Sequence, residues 1–203
     1  MYKLIYKSLI VTAAFLVLSC QKESNNNTTE KSSNQMDDTL LYSSECITEY
    51  EVIKAQREWA SGIVRIGEVY TQGGNYKIEA AEFIQDMYGF DLGSVLFKPT
   101  LASESQFRNS FDAAKSYFVG GNPAYPEDKG FAIKPYSSVK FNNIGIINNN
   151  CKMAIAMGNY YFKPVDSEDE VKVEYTFAYV KDKSGKLRIA THQSSLPYAP
   201  QKN

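Results

Sequence analysis

The sole histidine of this chain lies in "ATHQSSLPY", directly before a glutamine and two serines. An imidazole can carry a proton near neutral pH, and hydroxyls can hold a water molecule and donate hydrogen bonds to a developing oxyanion. Alternate residues of a strand face opposite sides, so His192 and Ser194 share one face, while Gln193 and Ser195 share the other. Only one serine therefore faces a common site easily, and the sequence leaves open which one.

Two further hydroxyls are candidates for the same site. Thr100 follows the strand break in "FKPT", and Tyr117 lies in the aromatic segment "SYFVGG". Each candidate also has an ordinary structural explanation, since Ser and Thr form caps and turns, a Tyr among aromatics belongs to the core, and a lone His is commonly structural. The residues by themselves leave both interpretations open.

Metal and nucleotide chemistry lack their usual residues. With one His, and with Cys46 and Cys151 as the thiols besides Cys20, the chain cannot build a three-His zinc site or a CxxC pair. It also lacks a P-loop and a dinucleotide fingerprint. We therefore expect no metal and no cofactor. Cys46 and Cys151 are either a disulfide of an oxidising compartment or two unrelated thiols.

Composition limits the number of domains and the classes of partner. The chain has 203 residues, a formal net charge of -1 and 43% hydrophobic residues, which is enough for one packed core. Basic and acidic residues nearly balance, so we expect no nucleic-acid partner.

The N-terminus has the features of an export signal. Lys3 and Lys7 precede the apolar run Leu9–Leu18, which is too short to span a bilayer as a helix. The ending "LVLSC" resembles a bacterial lipobox, which predicts cleavage after residues 1–19 and a lipid on Cys20. The alternative is an ordinary signal peptide whose cysteine is incidental.

The following segment, 20–45, is rich in Asn, Ser, Thr, Lys and Glu and predicts a disordered tether. Residues 46–203 then form the folded domain. We expect a cell-envelope protein attached through its lipid to the membrane, with outer-membrane, periplasmic or surface exposure left open.

Helices come first in the domain. Apolar spacing predicts an amphipathic helix through Ile53, Trp59 and Tyr70, and a second helix in "NYKIEAAEFIQDMYG" with Asn75 as its N-cap. A short buried strand, "SVLF", precedes a third helix in "SESQFRNSFDAAKSYFVGG".

Four antiparallel strands are predicted beyond Gly130, in "FAIKPYSSVKF", "KMAIAMGNYYFKPV", "VKVEYTFAYVKD" and "KLRIATHQSS". The segment "NNIGIINNNC" predicts a hairpin or bulged loop. This α+β order predicts three helices packed on a curved antiparallel sheet that leaves a cavity.

The combination of "VLFKPTLA", "SYFVGG", "EDKGFAI", "MGNYYF" and "HQSSLP" resembles the iota-class carbonic anhydrases over nearly the whole domain, Trp59 to Pro197. These are similar to the association domain of calcium/calmodulin-dependent kinases and have the NTF2-like, or SnoaL-like, cone fold, which usually forms dimers. The older label phosphoribosyl-AMP cyclohydrolase does not fit, because that enzyme requires metal-ligand clusters that this chain lacks.

The resemblance assigns the family's motif residues to positions in this chain. The family's Thr in "KPT" falls on Thr100, its Tyr on Tyr117, and its terminal His-His-Ser-Ser motif on residues 192–195, with Gln193 in place of the second His. Since Gln can hydrogen bond but cannot titrate, turnover is either impaired or rerouted through His192. The resemblance implies catalytic roles for Thr100, Tyr117, His192, Ser194 and Ser195, and substrate contacts from Thr100, Tyr117 and Gln193.

These assignments imply metal-independent, reversible hydration of carbon dioxide to bicarbonate by a hydroxyl network in an aromatic-walled pocket, in a homodimer. The alternative is a non-catalytic lipoprotein that uses the same cone to bind a small ligand or to assemble, since this fold serves many purposes. The Gln193 substitution favours the alternative, and preservation of the other motifs favours the enzyme.

Overall fold

The computed structural model describes residues 43–149 and 151–200. The predicted signal, Cys20 and most of the predicted tether lie outside this part of the chain. Three helices and five strands follow one another as α1 (Glu49–Thr71), α2 (Tyr76–Met87), β1 (Leu96–Lys98), α3 (Phe111–Val119), β2 (Tyr136–Asn149), β3 (Met153–Pro164), β4 (Val171–Lys181) and β5 (Leu187–Ser195). None of these helices is long and apolar enough to cross a membrane.

Each helix begins at a side-chain cap. The Thr48 hydroxyl accepts from the Glu51 amide at 3.2 Å, and the Glu51 carboxylate accepts from the Thr48 amide at 2.8 Å, which forms a capping box for α1. Asn75 and Ser110 cap α2 and α3 through the same kind of contact. Gly120, at φ 66°, follows the end of α3 in a conformation that favours glycine.

The sheet has the order β1-β5-β4-β3-β2. The four predicted antiparallel strands are confirmed as β2 to β5. The short predicted strand, β1, joins the edge of this sheet parallel to β5, so the sheet is mixed. Phe97 pairs with His192 and Lys98 with Gln193 in this register. The chain that follows β1 therefore runs alongside the end of β5.

Trp59 of α1 is the centre of the core between the helices and the sheet. Its side chain is buried. Phe141, Tyr160, Phe177 and His192 all meet it edge-on, with ring centroids 5.7 to 5.8 Å away. Such edge contacts are a favoured geometry of aromatic pairs, so the inner face of the sheet is fixed against α1 by aromatic packing.

The third helix is shorter than predicted. The segment "SESQFRNS" is a loop, and α3 begins only after Ser110. Amides of residues 103–105 donate to the Glu127 carboxylate at 2.7 to 3.0 Å, and these bonds lower its pKa. The fully buried Arg108 pairs with Glu127 at 3.1 Å and with Asp128 at 2.9 Å. These contacts between distant parts of the chain replace the hydrogen bonds of a helix.

The segment predicted as a hairpin or bulged loop belongs to the long strand β2, with a register shift between Asn143 and Gly145. Gln56 of α1 and Asn143 exchange two hydrogen bonds of 2.8 Å, which hold the bulge against the helix. Opposite it, Gly158 lies so close to Asn142 that a Cβ atom would be 2.1 Å from the Asn142 carbonyl oxygen. The start of "FAIKPYSSVKF" is a turn, because β2 begins only at its tyrosine.

Cys46 and Cys151, whose pairing the sequence left open, form a disulfide across 105 residues of chain. The neighbouring Ile47 amide donates to the Cys151 carbonyl at 3.3 Å. The start of the domain is therefore attached covalently to the connection between β2 and β3.

Replacing both cysteines, Cys46→Ser with Cys151→Ser, is expected to lower the free energy of unfolding by about 2–4 kcal/mol, because a long loop in the unfolded chain is no longer closed. Urea unfolding monitored by circular dichroism measures this. Reducing agent should lower the stability of the native protein to the same level and leave the double variant unchanged. Equal stability of the native protein and the double variant in the absence of reducing agent would contradict the prediction.

Candidate active site

A cavity of about 130 Å³ opens between α1, α3 and the inner face of the sheet. Its walls are mainly apolar and aromatic. Its polar groups are the hydroxyls of a threonine, a serine and three tyrosines, one imidazole and one lysine. These residues are Thr100, Ser194, Tyr117, Tyr136, Tyr160, His192 and Lys134.

Thr100 and Ser194 form a hydroxyl pair in this cavity. The Thr100 Oγ1 donates to Ser194 Oγ at 2.9 Å. Their meeting follows from the parallel pairing of β1 with β5, since Thr100 lies two residues beyond Lys98 and Ser194 lies one residue beyond its partner Gln193. The Lys98 ammonium adds a bond of 3.1 Å to the Ser194 carbonyl, and the Ser194 side chain is buried.

Two tyrosines bring further hydroxyls to this pair. Burial raises the pKa of Tyr160, against the opposing effect of hydrogen bonding to Ser194 and Thr100. Burial likewise raises the pKa of Tyr117, against hydrogen bonding from the Leu101 and Thr100 amides. Both phenols therefore stay protonated at neutral pH and are available as donors.

Tyr160 was not among the predicted site residues, although it lies in the quoted motif "MGNYYF". The alternation along β3 separates its two tyrosines, with Tyr160 buried on the inner face and Tyr161 partly exposed. Tyr160 lies an even number of residues after Ala154 and Ala156, which are buried. This alternation is the signal that assigns Tyr160 to the inner face.

His192 is buried against the rings of Phe97 and Phe177, at centroid distances of 4.7 and 4.1 Å. Its Nδ1 is 2.8 Å from the Tyr88 hydroxyl, and its Nε2 is 3.5 Å from the Tyr160 hydroxyl. Burial lowers the pKa of His192 well below its ordinary value. The imidazole is therefore neutral at physiological pH.

Gln193 and Ser195 lie on the opposite face of β5 and do not line the cavity. The Ser195 hydroxyl donates to the Glu174 carboxylate at 3.2 Å, and Gln193 lies between Lys98 and Thr176 in the sheet. Of the two serines, Ser194 is the one that faces the cavity. The structure therefore brings Thr100, Tyr117, His192 and Ser194 together and leaves Gln193 and Ser195 outside.

Charge is sparse around this cavity. Lys134 is the one lysine, arginine, aspartate or glutamate among the described residues that line it. In residues 43–149 and 151–200, no three His, Cys, Asp or Glu side chains cluster in a way that could hold a metal ion. The groups available for chemistry at this site are hydroxyls, a neutral imidazole and the Lys134 ammonium group.

A family model and a known protein with the same description both match this chain. The family model described as "Metal-independent carbonic anhydrase" matches residues 50–196. A metal-independent carbonic anhydrase of Nostoc sp. (strain PCC 7120 / SAG 25.82 / UTEX 2576) is 43% identical over an alignment of 159 residues that covers 76% of each chain.

One solved structure agrees with this result. The crystal structure of a cyanobacterial iota-carbonic anhydrase complexed with bicarbonate is 42% identical, with a TM-score of 0.74, over 76% of this chain and 95% of that one. An NTF2-like protein of unknown function from Shewanella oneidensis MR-1 is 14% identical, with a TM-score of 0.42, over 72% of this chain and 97% of that one. The predicted α+β fold of three helices on a sheet is confirmed, and the chain belongs to the family of metal-independent carbonic anhydrases.

Proposed function

We propose that the protein catalyses the reversible hydration of carbon dioxide to bicarbonate in this cavity, by hydroxyl groups and without a metal ion. The observation that carries the mechanism is the pair of hydroxyls, Thr100 and Ser194, 2.9 Å apart within aromatic walls. Family membership and the bicarbonate named for the cyanobacterial structure support the substrate.

The apolar walls suit carbon dioxide, which carries no net charge, while the hydroxyl pair suits water. Because Thr100 donates to Ser194, the Thr100 oxygen is left to accept from a water molecule, and the Ser194 proton is left to donate. The water oxygen attacks carbon, and one carbon–oxygen π bond becomes an oxyanion. Ser194 and Tyr117 donate to that oxyanion, so the gain comes from positioning and from preorganised donors.

The attacking water must lose one proton. None of the described lining residues carries a carboxylate, and His192 already binds Tyr88 through Nδ1. We infer that the proton passes to solvent or buffer at the mouth of the cavity. Gln193 faces away from the cavity, so the absence of a second histidine there leaves the hydroxyl network intact.

Ser194→Ala is expected to lower kcat for hydration about 10²- to 10³-fold, the usual effect of removing one oxyanion donor. Ser195→Ala should retain the native rate, because its side chain lies on the other face of the strand. Stopped-flow hydration assays in the presence of a chelator measure both. A larger loss in Ser195→Ala than in Ser194→Ala would contradict the proposed site, and loss of native activity in chelator would contradict the metal-independent mechanism.

We infer that two copies pair through the outer face of the sheet. Ile147 and Ile155 are cross-strand partners on that face, and Met153 and Met157 flank Ile155 along β3. All four side chains are exposed in the single chain. A contiguous apolar sheet face of this kind is typical of an oligomer interface, and the family resemblance implies a homodimer.

Ile155→Glu is expected to convert a dimer into a monomer, because it places a charge within the paired apolar faces. Light scattering coupled to size-exclusion chromatography measures the mass. Ile78→Glu, at an exposed isoleucine of α2 away from the sheet, is the control and should stay dimeric. A native protein that remains monomeric at all concentrations would overturn the inference.

We also propose that Cys20 carries a lipid that anchors the protein in the cell envelope. The support is the sequence "LVLSC" and the disulfide of the folded domain, since disulfides persist in oxidising compartments.

When expressed in bacteria, the native protein should partition into the detergent phase of a Triton X-114 extract, and Cys20→Ala should partition into the aqueous phase. Mass spectrometry should find a mature N-terminus at residue 20. Recovery of the native chain with residues 1–19 attached and without lipid would contradict the anchor.

A further inference from the structure

We propose that Tyr160 is a further catalytic hydrogen-bond donor, and that a buried chain from Trp59 through Tyr88 to His192 directs its proton into the cavity. This inference rests on the proposed hydration reaction. It adds a donor to the site and gives His192 a positioning role.

The chain starts at a group that can only donate. The Trp59 indole nitrogen donates to the Tyr88 hydroxyl at 3.0 Å, and an indole has no acceptor. The Tyr88 oxygen is therefore an acceptor in this bond, and its own proton needs another partner. A buried hydroxyl left without one would be costly, and His192 Nδ1, at 2.8 Å, is the acceptor in reach.

This bond selects one tautomer of His192. Nδ1 accepts from Tyr88, so the single proton of the neutral imidazole is on Nε2. The faces of the ring are occupied by Phe97 and Phe177, which offer no acceptor. The Nε2–H group is therefore directed at the remaining polar neighbour, the Tyr160 hydroxyl, across 3.5 Å.

Tyr160 is an acceptor toward His192 and a donor toward the cavity. Its oxygen receives the Nε2–H of His192, so its own proton is left for the cavity, which Tyr160 lines together with Ser194 and Thr100. That is where the oxyanion develops in the proposed reaction. Tyr160 thus presents a donor beside Ser194 and Tyr117, and all three line the cavity.

The chain cannot conduct a proton away. It ends at an indole N–H group, which does not accept protons, and Tyr88 does not line the cavity. Trp59, Tyr88 and His192 therefore act as positioning residues that hold one direction of hydrogen bonding.

Selective ¹⁵N labelling of histidine in the full chain tests this directly, because the sequence contains one histidine. The native protein is expected to show a proton on Nε2 and an unprotonated Nδ1 that accepts a hydrogen bond. A proton on Nδ1 would overturn the proposal without any variant.

Three variants complete the test with kinetic readouts. Tyr160→Phe should lower kcat about 10²-fold with the His192 tautomer unchanged. Tyr88→Phe should leave Nδ1 without its donor, mix the tautomers, and lower kcat about tenfold at constant KM. Tyr179→Phe is the matched control: it is an equally buried core tyrosine whose hydroxyl makes no hydrogen bond to a described residue, and it should change neither.

Native kcat in Tyr160→Phe, or an unchanged tautomer in a folded Tyr88→Phe, would overturn the proposal. Near-ultraviolet circular dichroism shows whether each variant is folded. If a variant does not fold, the His192 tautomer of the native protein still tests the direction of hydrogen bonding. A native protein with the expected tautomer but no hydration activity would refute the proposed function and leave the assigned direction standing.

Discussion

The parallel pairing of β1 with β5 is the interaction on which the site depends. β1 contributes only three residues to the sheet, yet it brings Thr100 to Ser194. Phe97 anchors it by burial, and the Phe97 carbonyl accepts from the Arg108 amide at 2.7 Å. Arg108 is itself held by the buried pair with Asp128, so the loop that carries Thr100 is fixed at both ends. A hydroxyl pair built from two loop-adjacent positions needs this support, because positioning is its main means of catalysis.

Burial determines the protonation states that this chemistry uses. Desolvation keeps Tyr117 and Tyr160 protonated as donors and keeps His192 neutral. In such surroundings each hydrogen bond to developing charge is stronger than in water. The same surroundings disfavour a charged base at the centre of the site, which is consistent with a mechanism that releases its proton toward solvent.

The sequence predicted elements and faces better than it predicted pairings. Periodicity and caps located the helices, and alternation along β5 correctly separated Ser194 from Ser195. Which of the two faces the cavity depends on a register shift between β4 and β5, where Tyr179 pairs with Ile189 but the adjacent Ala178 pairs with Thr191, and no local pattern encodes that shift. The pairing of Cys46 and Cys151 was left open, and the loop before α3 was wrongly predicted as helix. Both depend on contacts between distant segments. Tyr88 and Tyr160 were missed because a tyrosine with a functional hydroxyl and a core tyrosine share the same local pattern.

β5 is also hydrogen-bonded to Tyr88, the residue that orients His192. Its Arg188 donates to the Tyr88 carbonyl at 2.7 Å, and its Ile189 carbonyl accepts from the Gly89 amide at 3.0 Å. Tyr88 is therefore fixed to the strand through its backbone while its hydroxyl meets His192 of the same strand. Tyr88 also ends α2, because its amide donates to the Ile84 carbonyl at 2.9 Å. The direction of the hydrogen-bond chain thus rests on contacts that join the end of α2 to β5, and Trp59 supplies its starting donor from α1.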